Sequence, residues 1–201
     1  MVKEYTYRTI TSTYEGIYKE KGSKFLSFAI PVNSVDEIKG IVKDYWKRFF
    51  DARHVCYAYM LGAERADFRV NDDGEPSGTA GRPILGQINS RELTNVLIIV
   101  VRYFGGILLG TGGLVVAYRE AAADALNQAE ISEKTVEENI QVLFDYLQMN
   151  EVMKIIKDSD TQITNQTFDN ECLIHFSINK SDYENTLQKL RKINCVIITE
   201  N

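Results

Sequence analysis

Residues 96–127 read Val-Leu-Ile-Ile-Val-Val-Arg-Tyr-Phe-Gly-Gly-Ile-Leu-Leu-Gly-Thr-Gly-Gly-Leu-Val-Val-Ala-Tyr-Arg-Glu-Ala-Ala-Ala-Asp-Ala-Leu-Asn. The uninterrupted apolar, β-branched run Val96 to Val101 is too short to span a membrane and is bounded by polar and glycine residues, so it predicts a central strand covered on both faces. From Leu114 the apolar and alanine positions 114, 117, 118, 121, 125 and 126 recur at helical spacing, with Thr111 in place as N-cap. Between strand and helix fall Gly105, Gly106, Gly110, Gly112 and Gly113. A helix start behind a glycine loop offers unpaired N–H groups and a positive dipole end, the makings of an anion cradle, and bulk at Gly112 would then block approach to the backbone. The alternative is that the glycines serve only a tight turn and close helix-to-strand packing.

Named phosphate motifs do not decide between these readings. The P-loop pattern is met at Gly105 and Gly110, but Thr111 and Gly112 stand where lysine and the hydroxyl residue belong. The dinucleotide fingerprint starts at Gly110 and Gly112 and ends on Val115.

Three segments, in order, carry a resemblance: Ala52-Arg53-His54-Val55-Cys56-Tyr57-Ala58, then Asn71-Asp72-Asp73-Gly74-Glu75-Pro76-Ser77-Gly78-Thr79-Ala80-Gly81, then Arg102-Tyr103-Phe104-Gly105-Gly106-Ile107-Leu108-Leu109-Gly110-Thr111-Gly112-Gly113-Leu114. Together they resemble the signature of the IMPACT/YigZ family, and the likeness covers almost the whole chain in the form of a bacterial YigZ-like member. The resemblance implies an α+β protein. Its N-terminal domain would be a two-layer βαβ-rich domain of the type shared with a ribosomal protein and the GHMP kinases, and its C-terminal domain ferredoxin-like. It also implies a role in translation or stress control. Eukaryotic members restrain the amino-acid-starvation kinase by competing for its activator protein and carry an additional N-terminal RWD domain, whereas this chain begins directly in the shared domain.

Composition narrows the class. With 201 residues, 44% hydrophobic and 25% charged, the chain can bury one large core or two small ones. The start lacks the apolar core of a signal peptide, and Cys56, Cys172 and Cys195 lie far apart without a C-x-x-C pair, so a reduced, cytoplasmic protein without a membrane anchor is expected. Residues 1–130 carry sixteen basic and sixteen acidic side chains, and residues 131–201 seven and twelve, so the net charge of −5 lies wholly in the second part. That excludes a bulk basic field for nucleic acid while leaving room for one basic face.

Along the chain, Tyr14 to Val32 predicts two strands joined at Lys21-Gly22, with Lys19, Lys21 and Lys24 as a solvated turn. Ser34-Val35-Asp36-Glu37 is a capping box, and positions 35, 38, 41, 42, 45, 46 and 49 form the buried stripe of a helix to about Phe50, with Lys39, Lys43 and Lys47 outside. In the strand Arg53 to Leu61, His54, Cys56, Ala58 and Met60 share one face. His54 at a strand start reads first as a hydrogen-bonded structural residue and second as a base. Asn71 to Gly74 is a turn. The calcium-loop pattern fails there, because Arg69 and Ala80 occupy ligand places, although Asp72, Asp73 and Glu75 can hold magnesium with a substrate phosphate. Gly78 to Pro83 leads into a short helix, with Pro83 in its first turn. Arg82 and Arg102 are candidate anion contacts, or else ion partners of Asp72 or Asp73.

A boundary is expected near Ile131 to Thr135, giving domains 1–130 and 135–201. Beyond it, Ile140, Val142, Phe144 and Tyr146 alternate as a half-buried strand, a helix capped by Asn150 follows, and two strands meet at Asp169-Asn170 with His175 facing outward. Ser181 to Glu184 is a second capping box, ahead of a helix and a last strand Cys195 to Thr199. The order βαββαβ is ferredoxin-like, by fold analogy similar to the last domain of elongation factor G.

The binding candidates are therefore His54, the acidic loop Asp72, Asp73 and Glu75, the pair Arg82 and Arg102, Tyr103, and the loop glycines Gly105, Gly106, Gly110, Gly112 and Gly113. They are expected to converge on one side of the N-terminal domain. No catalytic set, cofactor or resident metal is assigned, and the oligomeric state is not fixed by the sequence. The favoured function is a binding and regulatory protein that recognises RNA, the ribosome or a translation-linked polypeptide. The alternative is an enzyme acting on a phosphorylated small molecule.

Overall fold

The computed structural model describes residues 5–169, 171–193 and 196–200. The chain divides into two compact units, one from Tyr7 to Lys134, the other from Thr135 onward together with Tyr5 and Thr6.

The first unit is built on five antiparallel strands: β2 (Tyr14–Glu20), β3 (Ser23–Pro31), β4 (His54–Leu61), β5 (Asp67–Asn71) and β6 (Val96–Tyr103), in the spatial order β2-β3-β6-β4-β5. The apolar run is central, as its composition requires. Val96, Ile98 and Val100 pack on one face with α2 (Gly81–Ser90) and α3 (Gly110–Gln128), and Leu97, Ile99 and Val101 on the other with α1 (Val35–Arg48). A two-layer arrangement was expected. Because β6 is apolar on both faces, both must be shielded from water, and the sheet lies between helices on either side.

Local sequence sets the connections. Lys21 and Gly22, at φ 43° and 78°, make the two-residue turn between β2 and β3. Ser34 caps α1 by accepting the Glu37 N–H, while the Glu37 carboxylate accepts the Asn33 N–H. The buried stripe of α1 is narrower than its periodicity suggests: Trp46 is exposed, and Phe50 lies beyond the helix and is 82% exposed. Helix α3 starts four residues before Leu114. Thr111 is thus inside its first turn, and Leu109 stands at the N-cap with no side-chain hydrogen bond. Strands β1 (Thr6–Ile10) and β7 (Ile131–Thr135) form a two-stranded sheet. Strands β1, β5 and β7 were not anticipated, because each is short and mostly polar or exposed.

The second unit runs β8 (Glu137–Phe144), a 3₁₀ turn (Tyr146–Gln148), α4 (Met149–Asp158), β9 (Thr161–Phe168), β10 (Cys172–Asn179), α5 (Lys180–Leu190) and β11 (Ile197–Glu200), with sheet order β11-β8-β10-β9, all antiparallel. Ile140, Val142, Phe144, Cys172, Ile174, Phe176 and Ile178 pack against Val152, Ile156, Leu187 and Leu190. Three local expectations are corrected. Tyr146 leaves the strand pattern for the 3₁₀ turn and is exposed. Asn150 and Ser181 lie inside their helices, whose caps are Gln148 and Asn179, so neither is a cap. Asn170 and Cys195 lie outside the described residues.

Candidate functional site

The register of the sheet makes the site. His54 at the start of β4 pairs with Arg102 near the end of β6, so a histidine and a buried arginine share one sheet end. The loop after β5 folds over that end. Asp73 and Gly74 take φ 44° and 80°, which turns the chain so that Glu75 enters the core at 8% exposure. Arg102 Nη1 donates to Glu75 Oε1 at 2.5 Å, and the Tyr118 hydroxyl of α3 donates to the same oxygen at 2.9 Å. The guanidinium lies 5.6 Å from the ring centres of both Phe25 and Phe104. Arg102 therefore pairs with Glu75, and the alternative of a pair with Asp72 or Asp73 is corrected.

Both aspartates are committed to backbone. Asp72 accepts the N–H groups of Gly78, Ala80 and Gly81 at 2.8–3.1 Å, tying the loop to the start of α2. Burial raises its carboxyl, yet those three hydrogen bonds and the nearby Arg82 charge outweigh it and hold the group below its ordinary value. Asp73 accepts the Val55 N–H at 2.6 Å, and burial pushes its carboxyl above the ordinary value. Among the described residues no group of three or more histidine, cysteine or acidic side chains is arranged to hold a metal ion.

His54 Nδ1 lies 2.6 Å from the Asp73 carbonyl, which only accepts, so this nitrogen carries a proton and Nε2 faces Glu75 Oε1 at 3.8 Å. Behind it the Cys56 thiol donates to the Asp72 carbonyl at 3.1 Å and lies 3.4 Å from the Tyr118 hydroxyl. Burial pushes both the Cys56 thiol and the Tyr118 phenol up, so neither ionises at neutral pH.

In front of this network lies a cleft of about 590 Å³. Arg53, His54, Glu75 and Arg102 line one side, Phe104, Leu108, Leu109 and Leu114 supply an apolar wall, and Gly110 and Thr111 bring the start of α3 to the rim. Of the sequence candidates, His54, Glu75, Arg102 and Gly110 line it. Asp72 and Asp73 brace it from behind through Cys56, Val55 and His54. The others do not line it. Tyr103 turns to Asp51 at 3.0 Å, Arg82 is exposed, and Gly112 and Gly113 are inside α3. Gly106 is exposed at φ 87°. Gly105 is a packing residue: a Cβ there would run into the backbone of Gly22 and Ser23. At Gly110 φ is 71°, so glycine is what lets the loop enter α3.

Tyr118, Cys56, Arg53 and the apolar wall were not among the candidates. Cys56 was legible from its place on the His54 face of β4. Tyr118 was visible as the one aromatic residue on a helix face of alanines and leucines.

The sequence profile of the Impact N-terminal domain matches residues 21–126. The chain is 35% identical to the IMPACT family member YigZ of Escherichia coli, over 74% of both chains. This chain belongs to the IMPACT family. Another IMPACT family member, YvyE of Bacillus subtilis, is 32% identical over 77% of this chain and 71% of its own length. A crystal structure described as that of a hypothetical protein superposes with a TM-score of 0.76 at 28% identity, covering 98% of each chain. Every residue lining the cleft lies inside the segment that matches the IMPACT domain. Among the described residues no helix is long and apolar enough to cross a membrane.

Proposed function

We propose that this IMPACT family chain is a cytoplasmic regulatory protein linked to translation that works by binding, and that its contact surface for a polypeptide partner is the cleft with the loop joining β6 to α3. The observation that carries this reading is the loop itself: Phe104, Ile107 and Leu108 are 47%, 56% and 82% exposed within five residues, and Phe104 and Leu108 line the cleft. Contiguous exposed apolar side chains beside a concavity suit a protein surface. A chain of net charge −5, with its first 130 residues balanced, suits nucleic acid less well. The family resemblance supports the link to translation. The βαββαβ order and antiparallel sheet of the second unit support reading it as ferredoxin-like, while reading the first as the fold shared with a ribosomal protein and the GHMP kinases rests on the family resemblance.

The test is co-sedimentation of the full chain with ribosomal fractions from cells, comparing wild type with the surface variants Ile107→Asp and Leu108→Asp. Folded variants should leave those fractions. Unchanged co-sedimentation, or loss on ribonuclease treatment alone, would overturn the protein-contact reading.

A second reading, an enzyme acting on a phosphorylated small molecule, draws on the placement of His54 Nε2 toward Glu75 at the wall of a cleft large enough for such a ligand. A His54→Ala variant that kept full regulatory activity in cells would dismiss it.

A further inference from the structure

We infer that the cleft seats a tyrosine side chain of the polypeptide partner, with its ring on the apolar wall and its hydroxyl between His54 Nε2 and the Arg102 guanidinium. The inference rests on the reading of the cleft as a contact surface for a polypeptide and names the side chain that enters it. Two open polar atoms select the group. The first is His54 Nε2. Because the Asp73 carbonyl holds the proton on Nδ1, Nε2 of the neutral ring carries a lone pair. It stands 3.8 Å from Glu75 Oε1 and has no hydrogen-bond partner among the described residues, yet it is not sealed from solvent.

The second is Arg102 Nη2. Nη1 is taken by Glu75 and Nε is sealed, whereas Nη2 has no hydrogen-bond partner among the described residues and stays open. His54 and Arg102 occupy paired positions on β4 and β6 and line the same cleft, so an acceptor and a charged donor stand side by side there. A group that answers both must donate and accept through one small end, and a hydroxyl does. A carboxylate or phosphate only accepts, and its charge would meet the Nε2 lone pair and Glu75. An ammonium only donates, and it would meet Arg53 and Arg102. The apolar wall of Phe104, Leu108, Leu109 and Leu114, in a cleft of about 590 Å³, sets the rest of the ligand. Serine and threonine hydroxyls bring too little apolar surface to cover that wall. Tyrosine supplies an apolar ring with one polar tip, and such side chains anchor protein interfaces in pockets.

The test titrates the full chain with the N-acetyl amides of tyrosine, O-methyltyrosine, phenylalanine and phosphotyrosine, following the ring-nitrogen resonances of His54 and the side-chain resonances of Leu109 and Leu114. The tyrosine amide should bind about tenfold more tightly than the phenylalanine amide, as two hydrogen bonds supply, and should shift the Nε2 resonance. The O-methyl probe, which accepts without donating, should lose most of that preference. His54→Asn keeps an N–H donor for the Asp73 carbonyl and removes the Nε2 acceptor, so the folded variant should bind the tyrosine and phenylalanine amides within about twofold of each other. Equal binding of the tyrosine and phenylalanine amides to the wild type, tightest binding of the phosphotyrosine amide, an Nε2 resonance that does not move, or no binding of any probe would each overturn the inference. The probes need no partner, so loss of ribosomal co-sedimentation and loss of probe binding are separate failures.

Discussion

Removing Glu75 should be one of the most damaging single changes in the first unit. Its carboxylate is 4% exposed, pairs with an arginine side chain that is 6% exposed, and accepts the Tyr118 hydroxyl. In Glu75→Leu the Arg102 charge stays in the core with only the faces of Phe25 and Phe104 beside it, and the tyrosine loses its acceptor. Breaking a buried pair from one side costs about 3–5 kcal/mol, against a total of about 5–15 kcal/mol for a typical domain. With a urea slope of about 2 kcal/mol per molar, the midpoint should fall by roughly 2 M. Trp46 is the only tryptophan and sits in α1, so its fluorescence reports this unit without interference from the second. The double variant Glu75→Leu/Arg102→Met removes both charges and should recover most of the loss, because a buried ion pair replaced by apolar groups of similar size is often neutral or better. A loss below about 1 kcal/mol in the single variant at an unchanged slope, or a double variant no better than the single, would refute the claim that the pair is buried and mutually dependent.

The loop glycines should separate by role. Gly105→Ala forces a Cβ into the Gly22–Ser23 backbone and should destabilise the first unit by about 1–3 kcal/mol or more in the same urea assay. Gly112→Ala, helical and with nothing within 4 Å of the added carbon, should stabilise it by about 0.5–1 kcal/mol. Asp72 gives the pH dependence. Its folded-state carboxyl lies below the ordinary value, so its stabilisation is fully present above that value and is lost as pH falls through the depressed one. Asp72→Ala should cost about 0.5–2 kcal/mol at neutral pH and flatten the acid limb of a stability–pH curve. Cys56 should resist alkylation by iodoacetamide in the folded chain and react on unfolding, checked by mass spectrometry of the labelled peptide.

The run at 96–101 was legible because a strand apolar at every position can only be central, and the same fact, followed to its end, requires helices on both faces. Periodicity located α1 and the inward face of β10 for the same reason: buried side chains repeat with the element that carries them. Caps were less legible. Ser34 caps as its sequence suggests, whereas Ser181 and Thr111 sit within their helices, because the preceding residues also take helical geometry and a hydroxyl alone does not fix the start. The site was legible in its members more than in its wiring. His54, Glu75 and Arg102 stand out as residue types, but that Arg102 meets Glu75 is set by the turn at Asp73-Gly74 and the register of β4 on β6. The turn is local and legible, but the register is a long-range fact that no local spacing encodes. Tyr118 escaped because a tyrosine on a helix face reads as core until its hydroxyl is seen to meet Glu75.

The central claim is that the cleft and its loop receive a polypeptide partner, and the most direct measurement is site-specific photocrosslinking in living cells. A photoreactive residue replaces Leu108 in one experiment and Leu147, 91% exposed in the second unit, in another. The account predicts that position 108 crosslinks to a discrete polypeptide of the translation apparatus, identified by mass spectrometry, that Thr111→Glu diminishes this product, and that position 147 does not yield it. The same product from both positions, or RNA as the crosslinked species at 108, would contradict the claim.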